Sequence, residues 1–267
     1  MSEGKEMSFL GHLEELRWRL FRSAIAVVIF ALLLFVFTES IIETVYISMS
    51  SPDFYTYKFF CLISEKLNMG DVLCASSINL QLQSTQMMGQ FTTNMYFALI
   101  GGVVLAFPFI FFQLWSFVKP ALKQNERSVS KGVIFWGTFL FFLGIAFGYF
   151  LISPLCVQFF GNYSMSDAIK NDFTINSYIS VITTTTFFSG LFFELPILIY
   201  MLTKLGVVSP EVLKKIRKHA MIVILILSAI ITPPDVISQI IVAIPIMGLY
   251  EIGILVSKRV VKNKLHE

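Results

Sequence analysis

Long runs of apolar residues, separated by short polar connections, dominate the chain. A helix needs about 20 mostly apolar residues to cross a hydrocarbon core of about 30 Å. The pattern therefore predicts an all-α membrane protein whose residues 1–267 form a single integral membrane domain with six transmembrane helices. Their approximate ranges are 18–37, 87–112, 132–155, 175–203, 220–231 and 236–256.

The fifth apolar run, 220–231, would be a helix only about 18 Å long. It is followed at once by Thr232, Pro233, Pro234 and Asp235, and then by the sixth run. Two prolines in succession cannot continue a helix. The sequence therefore predicts a short fifth helix and a tight Pro-Pro turn before an antiparallel sixth helix. A helix that short requires the bilayer to thin or the helix to sit off-centre.

Six spans place both termini on the same side of the membrane. Seventeen of the 20 Lys and Arg residues lie at the termini or beside the even-numbered connections, and the other three are Lys58, Lys66 and Lys170. Because cytoplasmic connections are rich in Lys and Arg, the pattern predicts that both termini are cytoplasmic.

The first outer connection, residues 38–86, is long and polar and is expected to fold as an outer cap. It contains Cys61 and Cys74, which would face the compartment where disulfides persist. The two cysteines are either bridged or two unrelated thiols, and the sequence leaves both alternatives open.

Composition agrees with a membrane protein and excludes several other classes. Hydrophobic residues make up 56% of the chain and charged residues 14%, against about 45–50% and about 25% in soluble domains. The net charge of +3 is small and its cations are dispersed, so a nucleic-acid-binding surface is not expected. Three cysteines and three scattered histidines predict no metal site and no cofactor.

Motifs for enzymatic chemistry are absent from the sequence. It contains no Gly-x-x-x-x-Gly-Lys-Ser/Thr phosphate loop, no His-Glu-x-x-His zinc motif and no Gly-x-Ser-x-Gly nucleophile turn. The sequence therefore predicts that the protein is not an enzyme and has no catalytic residues.

Glu194 is the clearest polar residue in an apolar environment. It lies ten residues before Lys204, which places it about 15 Å along the helix and near the bilayer midplane. The hydroxyl-rich run Thr183–Thr186 precedes it, and Pro196 follows. Ionisable groups at this depth are costly and are functional candidates. Glu194 either makes a hydrogen bond between helices or faces a wet cavity where it acts on a substrate or proton.

Two acids lie among the cations of the cytoplasmic face. Glu15 is four residues before Arg19, so the two side chains can pair along one helix. Glu126 precedes the third span, where an acid in the first helical turn complements the helix dipole. Neither position alone indicates a binding site.

Four stretches, taken together, resemble one protein family. They are His12–Arg17, Phe107–Pro108 with Gln113–Arg127, Phe192–Pro196, and Thr232–Gln239 with Ile244–Pro245. Their order and spacing resemble TatC, the polytopic subunit of the twin-arginine (Sec-independent) protein translocase, along nearly the whole chain.

The resemblance implies a receptor subunit that binds twin-arginine signal peptides of folded cargo proteins. It also implies single-span partners of the TatA and TatB types, self-association, contact with membrane lipids, and export driven by the proton-motive force. The implied location is the bacterial cytoplasmic (inner) membrane, as a multi-pass protein.

The resemblance also implies roles for individual residues. Glu15 and Glu126 match acids that face the paired arginines of the signal peptide, with Arg17, Phe117 and Arg127 in the same signal-peptide-binding set. The other matched positions are the buried acid Glu194, the polar residue Gln239 of the sixth helix, and the outer turn Pro233, Pro234 and Asp235.

Three other functions fit parts of the pattern. A proton-coupled small-molecule secondary transporter would use Glu194 at the midplane, but such proteins are built from internal repeats, which this sequence does not show. A membrane-embedded hydrolase would need a nucleophile–base pair, and a passive scaffold would leave the carboxylates dispensable. The receptor subunit of a protein translocase is the leading prediction.

Overall fold

The described part of the chain is mostly helical. The computed structural model describes residues 9–51, 54–66, 82–119, 130–166, 172–232 and 236–265. Within these ranges the α-helices are α1 (Phe9–Val36), α2 (Thr38–Ile41), α3 (Tyr55–Lys66), α4 (Gly89–Val118), α5 (Ser130–Phe147), α6 (Ser153–Asn162), α7 (Ile175–Phe193), α8 (Leu195–Lys204), α9 (Pro210–Lys215), α10 (Arg217–Ile231) and α11 (Val236–Leu265).

Five stretches among the described residues are long and apolar enough to cross a membrane. They are Leu13–Val36, Gly89–Val118, Gly132–Asn162, Ile175–Lys204 and Gln239–Lys262, and they correspond to five of the six predicted spans. The remaining predicted span, 220–231, lies in α10, whose 15 residues reach about 22 Å. The multi-pass helical fold is confirmed, while the count of six spans stays a prediction.

Several helices begin or end beyond the apolar run that predicted them. α1 begins at Phe9 rather than near 18, and α4 continues past 112 to Val118. These extensions carry polar residues, which suit a helix that leaves the hydrocarbon layer and enters the headgroup region. The apolar pattern therefore predicts only the part of each helix that lies in the hydrocarbon layer.

The fourth predicted span, 175–203, is interrupted at Glu194. α7 ends at Phe193 and α8 begins at Leu195, and the Glu194 N–H donates to Leu191 O at 3.2 Å, three residues back instead of four. Pro196 explains the interruption, because proline has no N–H and its ring disfavours a regular preceding turn. The carboxyl group therefore lies at a break between two helices.

α1 packs along α4, and Gly102 allows their close approach. A Cβ atom at residue 102 would lie 2.8 Å from Ala31 N and 2.9 Å from Val27 O, both backbone atoms that cannot move aside. The opposite face of α1 is exposed, as at Ile25, Ile29 and Val36. One face of α1 therefore packs against α4, and the other is available to lipid or a partner.

Residues 38–51 and 54–66, together with a short pair of strands, form one end of the bundle, called the cap end here. The strands β1 (Leu82–Gln83) and β2 (Phe173–Thr174) pair in parallel; β2 directly precedes α7, and five residues separate β1 from α4. After α2, the chain makes a π-helical turn over Ile42–Tyr46 and a 3-10 turn over Ile47–Ser50. A parallel strand pair so close to both helix starts fixes where α4 and α7 enter the bundle.

Tyrosine hydroxyls satisfy the irregular backbone of this cap. Tyr149 OH donates to Val45 O at 2.6 Å, and Tyr178 OH donates to Tyr46 O at 2.8 Å. Carbonyl groups of a π-helical turn lack the regular α-helical partners, and buried carbonyls need a donor. The two tyrosines therefore anchor the cap to the helices beneath it.

Short polar contacts hold α8, α9, α10 and α11 together at the other end, called the terminal end because α1 begins and α11 ends there. Thr203 and Ser257 share a buried hydrogen bond of 2.8 Å between α8 and α11. Tyr250 OH donates to Leu213 O at 2.9 Å, and Arg217 pairs with Glu251 at 2.5 Å. These contacts fix the position of α11 against its neighbours.

Candidate functional site

Glu15 lies at the terminal end of α1 and pairs with Arg19, one turn later. Arg19 Nε donates to Glu15 Oε1 at 3.0 Å, and Arg19 Nη2 also bonds Oε1. This confirms the pairing that the four-residue spacing predicts. The two side chains remain 25% and 21% exposed, so the pair is partly screened from water.

The second carboxylate oxygen of Glu15, Oε2, does not bond to Arg19. Glu15 Oε2 is buried and has no hydrogen-bond partner among the described residues. A buried acceptor without a donor carries an uncompensated desolvation cost. The carboxylate is therefore half-engaged: Arg19 holds one oxygen, and the other is buried without a donor among the described residues.

Arg19 also joins α1 to α4. Its Nη1 donates to Oε1 of the buried Gln113 at 3.4 Å. Gln113 begins the stretch Gln113–Arg127, and Glu15 belongs to His12–Arg17. The structure therefore brings two stretches together that are almost one hundred residues apart in sequence.

The other residues predicted for this surface are placed only in part. Arg17 is exposed on α1, and Phe117 is half-buried near the end of α4. Glu126 and Arg127 lie outside the described residues. The structure therefore brings Glu15 and the beginning of the Gln113–Arg127 stretch together, and the predicted second acid stays a prediction.

Trp115 fixes the end of α4 against α8. It is buried, and its ring stacks on Tyr200 with centroids 6.5 Å apart. Val133 of α5 is buried in the same cluster. Burial of this large ring stabilises the terminal end of α4, and with it the position of Gln113.

Glu194 lies at the break between α7 and α8, away from Glu15. Both of its carboxyl oxygens are buried and lack a hydrogen-bond partner among the described residues. The hydroxyl of Ser189, five residues earlier on α7, is in the same condition. Of the two alternatives for Glu194, a hydrogen bond between helices has no counterpart among the described contacts.

The four threonines before Glu194 have partners elsewhere. Thr183 shares a 2.8 Å hydrogen bond with Tyr46, and Thr184 shares one of 2.8 Å with Tyr96. Thr185 and Thr186 both contact the hydroxyl of Ser153, at 2.9 Å and 3.2 Å. The run attaches α7 to the cap, α4 and α6, and does not extend the polar environment of Glu194.

Burial changes the chemistry of one cap residue. It raises the pKa of Tyr46 from its ordinary value of 10.0 to about 12, while the hydrogen bond to Thr183 acts in the opposite direction. The phenol therefore stays neutral at any physiological pH. It acts as a fixed hydrogen-bonding group between the cap and α7.

The predicted polar positions near the fifth and sixth helices are partly described. Gln239 Nε2 donates to Leu225 O at 3.1 Å, which links α11 to α10. Thr232 ends α10, and both its N–H and its hydroxyl bond Ser228 O at 2.8 Å. Pro233, Pro234 and Asp235 lie outside the described residues, so the tight turn stays a prediction.

The cysteines of the cap are also partly described. Cys61 is disulfide-bonded, whereas Cys156 on α6 is buried and forms no disulfide. Cys74 lies outside the described residues, so its pairing with Cys61 stays a prediction. Within the described ranges, no cluster of three or more His, Cys, Asp or Glu side chains could hold a metal ion.

The sequence was compared with protein-family models. Residues 11–245 match the family described as Sec-independent protein translocase protein (TatC). The chain belongs to the TatC family. The match contains the Glu15–Arg19–Gln113 contact and the break at Glu194, so both features lie in the part of the chain that defines the family.

Relatives and solved structures agree with the TatC assignment. A TatC protein of Blattabacterium sp. subsp. Periplaneta americana is 39% identical over 98% of this chain and 99% of the relative. The TatCy protein of Bacillus subtilis is 34% identical over 95% of this chain and 89% of the relative. A crystal structure of the twin arginine translocase receptor TatC has a TM-score of 0.68 and 29% identity, covering 94% of this chain and 99% of that one.

Sequence reasoning does not predict some features of the candidate site. Arg19 and Gln113 lie next to predicted site residues, but neither was selected, because their contact joins two helices and leaves no local pattern. A buried glutamine beside an intramembrane arginine could have suggested this contact between α1 and α4. The stacking of Trp115 on Tyr200 likewise depends on tertiary packing.

Proposed function

We propose that this chain is the receptor subunit of a twin-arginine protein translocase. In this proposal it binds the signal peptides of folded cargo proteins at the terminal end of α1 and α4. The observation that carries the proposal is the half-engaged carboxylate of Glu15, held by Arg19 against Gln113 where two family stretches meet. The TatC family membership supports it.

The chemistry of arginine recognition suits this carboxylate. A guanidinium can donate two parallel hydrogen bonds to a carboxylate, and lysine lacks that planar fork. The oxygen Oε2 of Glu15 supplies an acceptor that Arg19 does not use. A signal-peptide arginine can therefore bind Oε2 beside Arg19 or displace Arg19 from Oε1.

Partial burial gives the contact its strength. An ion pair fully exposed to water contributes only about 0–1 kcal/mol, whereas hydrogen bonds to charged groups in protected sites contribute about 1.5–3 kcal/mol. Glu15 is 25% exposed, which places it between these limits. In the proposal Glu126 supplies a second acid for the second arginine, and Arg17, Phe117 and Arg127 lie beside them.

The proposed topology follows from the charge distribution. The six spans, with α10 as the short fifth, form one membrane domain over residues 1–267 with both termini in the cytoplasm. The terminal end of the bundle then faces the cytoplasm, where signal peptides are presented. The cap end, with the turn at Pro233–Asp235, faces outward from a bacterial cytoplasmic membrane.

In this proposal Glu194 serves a later step than peptide binding. Its unpartnered carboxyl at the α7–α8 break is an acceptor that a donor on another chain would satisfy. Single-span partners of the TatA and TatB types provide such chains. Assembly with them, driven by the proton-motive force, completes the export pathway.

Photocrosslinking tests the location of the proposed site. A photoreactive residue at Leu16 of α1 or at Phe117 of α4 is expected to crosslink to a twin-arginine signal peptide added to the protein in nanodiscs. The matched control is the exposed Tyr55 of the cap. Crosslinking at Tyr55 in the absence of crosslinking at Leu16 and Phe117 would overturn the proposed location.

A further inference from the structure

An apolar groove follows the outside of the bundle at its terminal end, called the inner groove here. Side chains of α5 between residues 132 and 143, of α8 between 196 and 200, and of α11 between 249 and 256 line it. Its volume is about 580 Å³. The residues of α5 that line it, among them Trp136 and Leu143, recur at helical spacing on one face.

The length of the inner groove matches one leaflet of a bilayer. From residue 132 to residue 143, α5 rises about 16 Å. Half of a hydrocarbon core of about 30 Å is about 15 Å. The groove therefore extends from the terminal end of the bundle to about the middle of the membrane, which is the depth of one acyl chain.

Two cations lie where the groove opens. Arg259 follows Val256 by three residues and Ile252 by seven, so it lies on the same face of α11, one turn beyond the lining residues. Lys204 follows Tyr200 by four residues and Ile197 by seven, which places it on the corresponding face of α8. The hydrogen bond between Thr203 and Ser257 holds these two helix ends side by side.

We propose that the inner groove binds one anionic phospholipid of the cytoplasmic leaflet, with an acyl chain along α5 and the headgroup phosphate beside Lys204 and Arg259. The one-leaflet depth and the cationic opening favour a lipid over a partner helix, whose span would continue past the midplane. The inference uses the orientation proposed above but does not depend on the binding of signal peptides.

The neighbouring Lys258 provides a matched control. It lies next to Arg259 on α11 and is likewise exposed, but a rotation of about 100° per residue turns it away from the groove. Replacement of Lys258 removes the same charge at the same depth. If the groove forms the site, replacing Arg259 lowers lipid retention more than replacing Lys258. General attraction to an anionic membrane would make the two replacements equivalent.

Native mass spectrometry of the full chain tests the proposal. The protein is released from nanodiscs that contain equal amounts of phosphatidylglycerol and phosphatidylcholine. We expect the protein to retain one phosphatidylglycerol, and the double variant Lys204→Ala/Arg259→Ala to retain it about ten-fold less. Lys258→Ala is expected to behave like the parent. Val256→Trp, which fills the groove opening, is expected to reduce retention of both lipids.

Three results would overturn the lipid site. They are equal retention of the two lipids by the parent chain, equal losses from Lys258→Ala and the double variant, and unchanged retention by Val256→Trp. Signal-peptide binding is measured on the same samples. If Glu15→Gln loses peptide binding and retains the lipid as the parent does, the two sites are independent. If the parent retains the lipid but binds no peptide, only the receptor function is refuted.

Discussion

Arg19 donates from Nε to Oε1 of Glu15 over 3.0 Å, and the other carboxylate oxygen of Glu15 has no partner among the described residues. Both described bonds from Arg19 to this carboxylate reach the same oxygen, so this contact orients the carboxylate and leaves Oε2 without a described donor. The contact from Arg19 to Gln113 connects that orientation to the packing of α1 against α4.

Glu194 is expected to act after peptide binding. Replacement by alanine removes an unsatisfied buried acceptor, so Glu194→Ala should not lower the unfolding temperature, and it should bind signal peptides within about two-fold of the parent. Export of a reporter protein and crosslinking to single-span partners should both fall. The measurements are peptide affinity in nanodiscs and export in cells that carry the variant.

Ser189→Ala is the matched control for Glu194, because its hydroxyl is also buried and unpartnered among the described residues and lies five residues earlier, on α7. We expect it to export normally. Normal export by Glu194→Ala would contradict a role of this carboxyl in export.

The bond between Tyr46 and Thr183 is expected to stabilise the cap. Loss of one buried hydrogen-bond partner costs about 1–3 kcal/mol, so Tyr46→Phe should lower the free energy of unfolding by about this amount in detergent. Tyr55→Phe is the control, because Tyr55 lies in the same cap and is 82% exposed. Equal effects of the two replacements would contradict the assigned role of the bond.

Alkaline pH provides a second test of the same phenol. Its pKa is 10.0 in the unfolded chain and about 12 in the folded one, so the folded state binds more protons between these values. Its contribution to stability is therefore present below pH 10 and lost as pH rises towards 12. The difference in unfolding free energy between the parent and Tyr46→Phe should shrink over this range.

The close approach of α1 and α4 at Gly102 is expected to tolerate no side chain. Gly102→Ala would place Cβ 2.8 Å from Ala31 N, so the helices must separate, at a cost of about 1–3 kcal/mol. Gly248→Ala is the control, because a Cβ there meets nothing within 4 Å. Thermal unfolding in detergent measures both, and an unfolding temperature of Gly102→Ala equal to that of the control would contradict the packing.

The cap disulfide is expected to join Cys61 to Cys74. Alkylation of the denatured, unreduced protein should then modify Cys156 alone, and proteolysis should release one disulfide-linked pair of peptides. Reduction should lower the free energy of unfolding by about 2–4 kcal/mol. Peptide mass analysis decides the pairing, and alkylation of Cys74 without reductant would exclude it.

Local patterns in the sequence predicted part of this structure correctly. The Glu15–Arg19 pair follows from a four-residue spacing on one helix, and five spans follow from apolar runs. Glu194 was identified because a carboxyl in an apolar run is costly wherever the chain folds. Each of these features depends either on residues close together in the sequence or on the contact of side chains with the surrounding solvent.

The remaining features depend on contacts between distant parts of the chain. The Thr183–Thr186 run precedes Glu194 in the sequence, but its hydroxyls bond to Tyr46, Tyr96 and Ser153, which are distant in sequence. Pro196 was noted in the sequence, yet the helix break it causes at Glu194 was not placed. No local pattern encodes which helix faces another.

The specificity of peptide binding tests the central claim most directly. The affinities of a twin-arginine signal peptide and of its twin-lysine counterpart are measured by fluorescence for the parent, Glu15→Gln and Glu14→Gln in nanodiscs. Glu14 is the control, since it is exposed on the same turn of α1. The account predicts that the parent and Glu14→Gln prefer the arginine peptide by about ten-fold or more, and that Glu15→Gln loses most of this preference. Equal affinity of the parent for the two peptides, or an undiminished preference in Glu15→Gln, would contradict it.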